Sequence, residues 1–347
     1  MPTKKIERGI SYFGIRFPDH AYRDLEAIRQ AGCTYVVHTL SEEDIQFNLS
    51  NMEKIVVKTK DLGLQAHLDP WGVAGIFGGE TFSRYVALKP EVQQVASDGK
   101  RRPLACINHP DLWNLMYSWI NAAVDIGADV IFWDEPHFFV PGWLDDTSPK
   151  DVWGCRCSIC QQKFRVMFNE PMPHEETADV LAFKKASLLE FLGAMFRYTN
   201  RKNTKNTLCL LPDEKLRDSG FWEPFVALPH LDGFGTDPYW IRKKQSEPDF
   251  NLAQYIRPFC VKVRQLAGKY GIRGHIWVQN FSIPNGWEND IADVIDIILS
   301  EGIKDISAWS YYGTKGMGIL TSSCPETVWK TLSGKYLEIE NNKAVIC

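Results

Sequence analysis

The chain has 347 residues, 44% hydrophobic and 24% charged, with a formal net charge of −4. That is the composition of a globular chain able to bury a sizeable core, as one large α/β domain or two smaller ones. No basic run or basic, aromatic-interleaved strip stands out, which sets nucleic acid and membrane surfaces aside as partners. The opening MPTKKIERGISYFGIRF lacks the apolar core of a secretory signal, and no run of about eighteen apolar residues follows it. A cytoplasmic location is therefore expected, with the nine cysteines mostly reduced.

In chain order, apolar runs that end in polar or aromatic residues alternate with amphipathic stretches of helical period. RGISYFGIRF (8–17) leads into a helical pattern at 19–32, CTYVVHTL (33–40) into one at 43–63, and LQAHLDPW (64–71) into a Gly-rich loop before the helix at 110–127. The run ADVIFW from Ala128 ends in the adjacent carboxylates Asp134 and Glu135, then Pro136, where strand pairing should stop. After an insertion and a helix over 177–203 come TLCLLPDE (207–214), LDGFGTDPYW (231–240), a helix from about Asn251 to Tyr270, and IRGHIWVQNF (272–281). A helix over 287–302 and IKDISAWSYYG (303–313) close the series. Alternation of this kind predicts a parallel sheet with helical crossovers, and eight such units predict a (β/α)8 TIM barrel. An open doubly wound sheet is the rival, but no dinucleotide fingerprint or phosphate loop follows any strand, so no organic cofactor is expected. With no repeat or linker, residues 1–347 read as a single domain, with an insertion at about 140–176.

In a barrel the carboxyl ends of the strands converge on one face. The residues expected there are Arg16, His38, His67, Asp69 and Trp71 from the first three strands, then Asp134, Glu135 and His137 from the fourth. The fifth contributes Asp213 and Glu214, and the sixth Asp237, Tyr239 and Trp240. Gln279 and Asn280 come from the seventh, and Trp309, Tyr311 and Tyr312 from the eighth. Acids, amides and flat aromatics on one rim suit a carbohydrate, which offers hydroxyls to the former and apolar C–H faces to indole rings. Because successive strand residues face opposite sides, only one of Asp134 and Glu135 is expected to meet the substrate. Trp133, Phe138, Phe139 and Trp143 are expected to ring the pair.

Cys155-Arg-Cys157-Ser-Ile-Cys160 puts three thiols within six residues, close enough for one tetrahedral zinc ion. The fourth ligand is open among Cys106, His109 and His137. A closed site of this kind leaves the metal no free position, so the zinc is expected to be structural. Cys33, Cys209, Cys260, Cys324 and Cys347 are scattered and read as small buried or terminal residues.

An upstream Cys near an Asn and a Pro, a strand-end acid–Glu pair, and Cys-x-Cys-x-x-Cys followed by Phe164 resemble the zinc-bearing loop of glycoside hydrolase family 42, over roughly residues 101–164. That resemblance implies a retaining clan A barrel, with Glu135 as acid/base and Cys106, Cys155, Cys157 and Cys160 as zinc ligands. The chain departs from the pattern at Asp134, where the family has Asn, and at the seventh strand, where HIWVQNF offers Gln279 and Asn280 rather than Glu. Glu288 lies well past that strand.

Glycoside hydrolysis generally needs two carboxyl groups. Asp237, at a strand end and followed by Pro and two aromatics, is the expected partner of Glu135, staying ionised in a wetter place while Glu135 donates the proton. Trp71, Trp240 and Trp309 are expected to wall the cleft. A fourth-strand and sixth-strand pair is also similar to the layout of α-galactosidase-type enzymes, which implies Asp134 as nucleophile and Asp237 as acid/base. The function expected is therefore a glycosidase acting on small oligosaccharides or glycosides. The rivals are a metal-dependent sugar isomerase or lyase using His67, Asp69, Glu135, Asp213 and Asp237, and a non-catalytic sugar-binding barrel. The sequence is compatible with a homo-oligomer.

Overall fold

The computed structural model describes residues 5–79, 81–142 and 148–344. Eight parallel strands close into a barrel: β1 (Glu7–Tyr12), β2 (Tyr35–Thr39), β3 (Gln65–Asp69), β4 (Val130–Asp134), β5 (Lys205–Cys209), β6 (Gly233–Thr236), β7 (Arg273–Gln279) and β8 (Asp305–Trp309). Each pairs with the next, and β8 returns to β1 with Ala308 opposite Ile10. At the carboxyl ends Thr39 stands opposite Asp69, Asp134 opposite Cys209, and Trp309 opposite Gln279. These registers set the ends of β4 and β5 side by side, while Leu68 opposite Ile131 leaves Asp134 beyond the level of Asp69 on the same rim. The fold is thus the (β/α)8 barrel that the alternation predicts.

Both faces of the strands are covered, which is why they read as near-continuous apolar runs. Tyr35, Val37, Phe132, Cys209, Trp277 and Trp309 pack with Trp71 in one buried cluster made of strand ends, the barrel interior. The alternate residues Val36, Leu68, Ile131, Trp133, Leu208 and Ile276 belong to the larger cluster shared with the helices. That parity decides which strand-end side chains face the mouth.

The main helices are α1 (Pro18–Gln30), α2 (Leu49–Asp61), α3 (Pro110–Asp125), α4 (Ser158–Phe168), α5 (Ala178–Arg201), α6 (Leu252–Tyr270), α7 (Asp290–Ser300) and α8 (Pro325–Ala344). Their ends carry local signals: Thr177 Oγ1 accepts from Val180 N at the start of α5, and Asn251 Oδ1 from Gln254 N at the start of α6. Gly271, at φ +69°, closes α6 in the left-handed conformation that glycine adopts freely. The fifth crossover differs from the others. Between β5 and β6 the chain makes only Glu214–Asp218 and Glu223–Val226, because Gly220 and Pro229 interrupt any longer helix. No helix among the described residues is long and apolar enough to cross a membrane.

The insertion after β4 is anchored to a small antiparallel hairpin, Gln93–Val95 with Arg101–Ala105, in the β3–α3 connection. Arg156 N donates to Val95 O at 2.6 Å, Ser97 N to Trp153 O at 2.8 Å, and Phe139 N to Gln94 Oε1 at 3.0 Å. Cys106 follows the hairpin directly, so this pairing brings it beside Cys155–Cys160. Trp143 and Cys347 lie outside the described residues.

Candidate active site and metal centre

Asp69 shares the inward parity of His67, whose ring stacks on Tyr35 with centroids 4.2 Å apart. Asp134 shares that of Phe132. Parity alone would turn Glu135 outward, as it turns Trp133, whose Nε1 donates to Asn206 Oδ1 at 2.9 Å among the helices. Instead Glu135 has φ +42°, and this left-handed step redirects its side chain. Glu135 N still donates to Cys209 O at 3.0 Å, which keeps the step tied to β5. Both carboxylates consequently lie against Gly78, whose N donates to Asp134 O at 3.0 Å. A Cβ at Gly78 would fall 2.4 Å from Asp134 Oδ2 and 3.3 Å from Glu135 Oε2, so a side chain here would displace the Asp134 carboxylate. The expectation that one of the adjacent acids faces away is corrected by that single backbone angle. Trp133 is likewise not part of the ring around Glu135.

Asp237, just past β6, joins the group. It forms a side-chain hydrogen bond with Glu135 and accepts from Cys209 Sγ at 3.8 Å. A carboxyl-to-carboxyl hydrogen bond requires one proton between the two groups. Burial and the charge of Asp134 push the Asp237 pKa well above the usual carboxylate range, against the pull of the Glu135 hydrogen bond. Asp237 is therefore not the wet, ionised carboxylate expected from the sequence. Asp69 is raised in the same way, first by burial and then by Asp134, and its Oδ1 has no hydrogen-bond partner. Neither Asp69 nor Asp237 has an ion pair among the described residues. Cys209 sits among these acids as a neutral thiol, its pKa raised by burial and by Asp237, Asp134 and Glu135. It is a small buried residue, as expected, and it also lines the barrel interior. The signal was its inward parity on β5, opposite Asp134.

Aromatics line the mouth as well, Trp71 lying against Gly79, next to the glycine that meets the acids. The Phe13 ring stacks on Trp309 at 5.2 Å and 8°, and Trp71 lies 5.5 Å from Phe13 and 6.4 Å from Trp309. Trp277 closes this floor at 6.2 Å from Trp309. Phe13 and Trp277 went unassigned in the sequence because neither is a polar strand-end residue. Tyr239 stands beside the acids, edge-on to Phe281 at 4.9 Å, with its hydroxyl pKa raised by burial and then by Asp237 and Asp134.

Other expected rim residues are used elsewhere. Trp240 is fully buried, with Nε1 3.3 Å from Asp290 Oδ2 beneath the β7–α7 connection, so it walls no cleft. His38 points outward and its Nε2 hydrogen-bonds Thr59 Oγ1 on α2 at 2.9 Å. Arg16 is held by Asp44 at 2.6 Å. Gln279 faces inward, but its amide is occupied: Oε1 accepts from Ile241 N and Nε2 donates to Phe281 O, both at 3.1 Å. Asp213 caps the helix Glu214–Asp218, and Glu214 pairs with Lys243. Tyr311 donates to Asp24, and the ring of Tyr312 lies 6.4 Å from Trp329. His137 Nδ1 sits 2.7 Å from Glu135 O, and burial lowers its pKa to about 4. Glu288 accepts from Gly286 N at 2.8 Å, away from the acids.

The thiols form a second centre. The Sγ atoms of Cys106, Cys155, Cys157 and Cys160 all lie within 4.8 Å of one another, with Cys106 3.4 Å from Cys160 and 3.5 Å from Cys157. These separations are too long for a disulfide and bracket the ~3.8 Å that a tetrahedral ion with Zn–S bonds of about 2.3 Å imposes. Asn108 Nδ2 donates to Cys160 Sγ at 3.3 Å and Cys157 N to Cys155 Sγ at 3.5 Å, contacts that favour thiolate ligands. His109 instead caps α3, its Nδ1 accepting from Asp111 N, and His137 lies with Glu135. Among the described residues this is the one cluster of three or more such ligand atoms. The donor set fits a metal ion.

Fold and site together define a (β/α)8 barrel with an acid-lined, aromatic-floored mouth and a separate four-thiol centre. No protein-family model matches the chain, and no curated protein matches it significantly. Solved structures share its fold. An endo-1,4-β-mannanase from Rhizomucor miehei aligns with a TM-score of 0.63 at 8% identity, over 98% of this chain and 97% of its own. The glycoside hydrolase domain of PgaB (BpsB) from Bordetella bronchiseptica aligns with a TM-score of 0.59 at 9% identity, covering 94% of this chain and 99% of the domain. D-allulose 3-epimerase from Methylomonas sp. aligns with a TM-score of 0.51 at 12% identity, over 98% of both chains. At such identities the likeness is one of fold.

Proposed function

We propose that this protein is a glycoside hydrolase that cleaves small oligosaccharides or glycosides in the cytoplasm. The observation that carries the reading is the proton-sharing contact of Glu135 with Asp237, beside the third carboxylate Asp134 and in a mouth that also holds Phe13, Trp71 and Trp309. Carboxyl groups joined by a hydrogen bond are closer together than the about 5–5.5 Å that holds a sugar ring between acid and nucleophile in a retaining enzyme. Glu135 and Asp237 therefore act as one unit, whose shared proton goes to the glycosidic oxygen. Asp134, less buried than its neighbours, takes the role across the ring as nucleophile or base. The indole faces of Trp71 and Trp309 receive the sugar's apolar side. Acid on β6 and nucleophile on β4 is the order of the α-galactosidase type. The likeness to glycoside hydrolase family 42 covers roughly residues 101–164, and the seventh-strand acid of that clan is replaced by the engaged amide of Gln279.

The four thiolates would hold a structural zinc ion that braces the β4 insertion against the hairpin, and the acids would work without metal. Against the rival metal-dependent isomerase, the mouth carboxylates do not form a compact ligand group as the thiols do. The test is a panel of 4-nitrophenyl glycosides of both anomers, assayed with and without EDTA. Hydrolysis that survives EDTA and disappears in Asp134→Asn supports the reading. Turnover that needs added manganese or magnesium overturns it in favour of the isomerase or lyase class.

A further inference from the structure

Asp69 is the mouth carboxyl that the proposed chemistry leaves without a role. It is 1% exposed at the end of β3, with inward parity, and the pairing of Leu68 with Ile131 sets it level with Phe132, one inward step below Asp134. Its Oδ1 is buried with no hydrogen-bond partner, and no base pairs with it among the described residues. A buried polar group is costly to keep in that state, which points to a partner that arrives from outside the chain.

Trp71, two residues on, repeats the pattern. Its Nε1 is also buried and unpartnered, and it lies against Gly79, where a Cβ would fall 2.0 Å from it. Gly78, the residue before, is the glycine that meets Asp134 and Glu135. The glycine pair therefore joins the unused donor of Trp71 to the acids in one wall of the mouth.

The charge of this wall has one sign. The single proton shared by Glu135 and Asp237 leaves one negative charge on that pair, and Asp134, ionised as nucleophile, adds a second before Asp69 is counted. The nearby histidines do not offset it, because burial lowers His67 well below its ordinary pKa and His137 to about 4. Arg16, on the β1 side of the rim, is held by Asp44.

We propose that the mouth selects a sugar with a free amino group next to the scissile carbon, a 2-amino-2-deoxy glycoside, and that Asp69 binds its ammonium. The position of the amino group rests on the hydrolase reading given above. Asp134 meets the anomeric carbon in that reading, and the carboxyl one step beneath it on the adjacent strand faces the ring substituent beside that carbon, the one at C2. An ammonium at C2 opposes the positive charge that develops at the anomeric carbon as the glycosidic bond breaks. A carboxylate held against it offsets that repulsion. Ionised Asp69 supplies this charge, and its Oδ1 gains the partner that the chain does not provide. A hydroxyl or an acetylated nitrogen at C2 brings no charge to answer the acids.

Glucosamine, galactosamine and mannosamine, titrated into the full chain at pH 7 beside their parent hexoses and N-acetyl forms, are the first probes. At least one amino sugar is expected to bind at least about tenfold more tightly than both its parent and its N-acetyl form. Asp69→Asn, which keeps the shape of the side chain, should erase that preference with normal circular dichroism. Equal binding of the three forms by the wild-type protein overturns the proposal without recourse to any variant, and so does a preference that survives in Asp69→Asn. The second arm compares 4-nitrophenyl 2-amino-2-deoxy glycosides with the parent aryl glycosides. The amino compound should have a kcat/KM at least about tenfold higher, and Asp69→Asn should reverse the order. A parent glycoside hydrolysed faster than its amino counterpart overturns the ammonium assignment while sparing the hydrolase reading. Amino-sugar binding that depends on Asp69, with no hydrolysis of any glycoside, would sink the hydrolase reading and leave Asp69 as the ammonium site of a sugar-binding barrel.

Discussion

The two polar centres of this molecule are built by opposite routes. Three of the four thiols lie within six consecutive residues, and the fourth arrives through a hairpin that pairs with the same loop. The carboxylates come from β3, β4 and the end of β6, residues separated by up to 168 positions along the chain, between Asp69 and Asp237. The local centre needs only its own loop and the hairpin to come together. The dispersed centre exists only when the barrel closes, and it holds buried acids that ionise at a cost. One centre should therefore respond to perturbation as a fold element and the other as a chemical site.

Metal removal is the strongest way to break that contrast. Purified protein should contain about one zinc per chain, and structural zinc contributes about 10–16 kcal/mol of binding energy in small zinc-finger peptides. Cys157→Ser should lose most of the metal and several degrees of thermal midpoint, with turnover per folded molecule changed less than about threefold. Elemental analysis that finds no zinc, or a fully stable Cys157→Ser variant without activity, would remove the structural role.

Substituting the acids should do the reverse. Asp134→Asn and Asp237→Asn are each expected to lower turnover by at least about 100-fold, equivalent to about 2.7 kcal/mol of transition-state stabilisation, with normal circular dichroism. Glu135→Gln keeps hydrogen-bonding capacity toward Asp237 but removes the shared proton. It should fall between those variants and the wild type on a glycoside with a good leaving group. Equal activity of Asp134→Asn and wild type would end the assignment of Asp134.

The pH dependence of stability separates the buried acids from the buried histidines. For Asp69 the folded pKa lies above the ordinary 3.8, so its contribution is full below about pH 4 and is lost as pH rises through the folded value. Asp69→Asn should therefore gain thermal midpoint over the wild type at pH 8, with the gain vanishing near pH 4. His38 and His275 are lowered to about 3, and His137 to about 4, all by burial. Their stabilisation is full above about pH 6.5 and is lost as pH falls through those values. His38→Gln should accordingly reduce proton uptake during acid unfolding between pH 6 and 3, measured by calorimetry in buffers of different ionisation enthalpy.

The smallest effect is expected at Arg16. With its side chain 41% exposed and paired to Asp44, Arg16→Ala should change stability by less than about 1 kcal/mol and leave kcat within twofold. A large drop in kcat there would mean that the arginine reaches the substrate and that the mouth extends farther toward β1.

What the residues alone determined follows from periodicity and local spacing. Alternating apolar runs and amphipathic stretches required eight strands and their crossovers, because each strand had to be covered on both faces. The spacing of Cys155, Cys157 and Cys160 announced a metal-binding loop, because three ligands on one short segment need no tertiary structure to meet. Asp134, Glu135 and Asp237 were legible as strand-end acids. Their mutual arrangement was not, because it depends on the left-handed step at Glu135 and the missing side chain at Gly78. Inward or outward direction was equally hidden: Trp309 and Trp240 look alike in sequence, yet one floors the mouth and the other is sealed beside Asp290. Strand parity and barrel closure decide such directions, and both are set by pairings between residues hundreds of positions apart, such as β1 with β8. Only the closed barrel, where burial raises the pKa of Asp237 beside Glu135 and Asp134, turns three strand-end acids into a proton-sharing site.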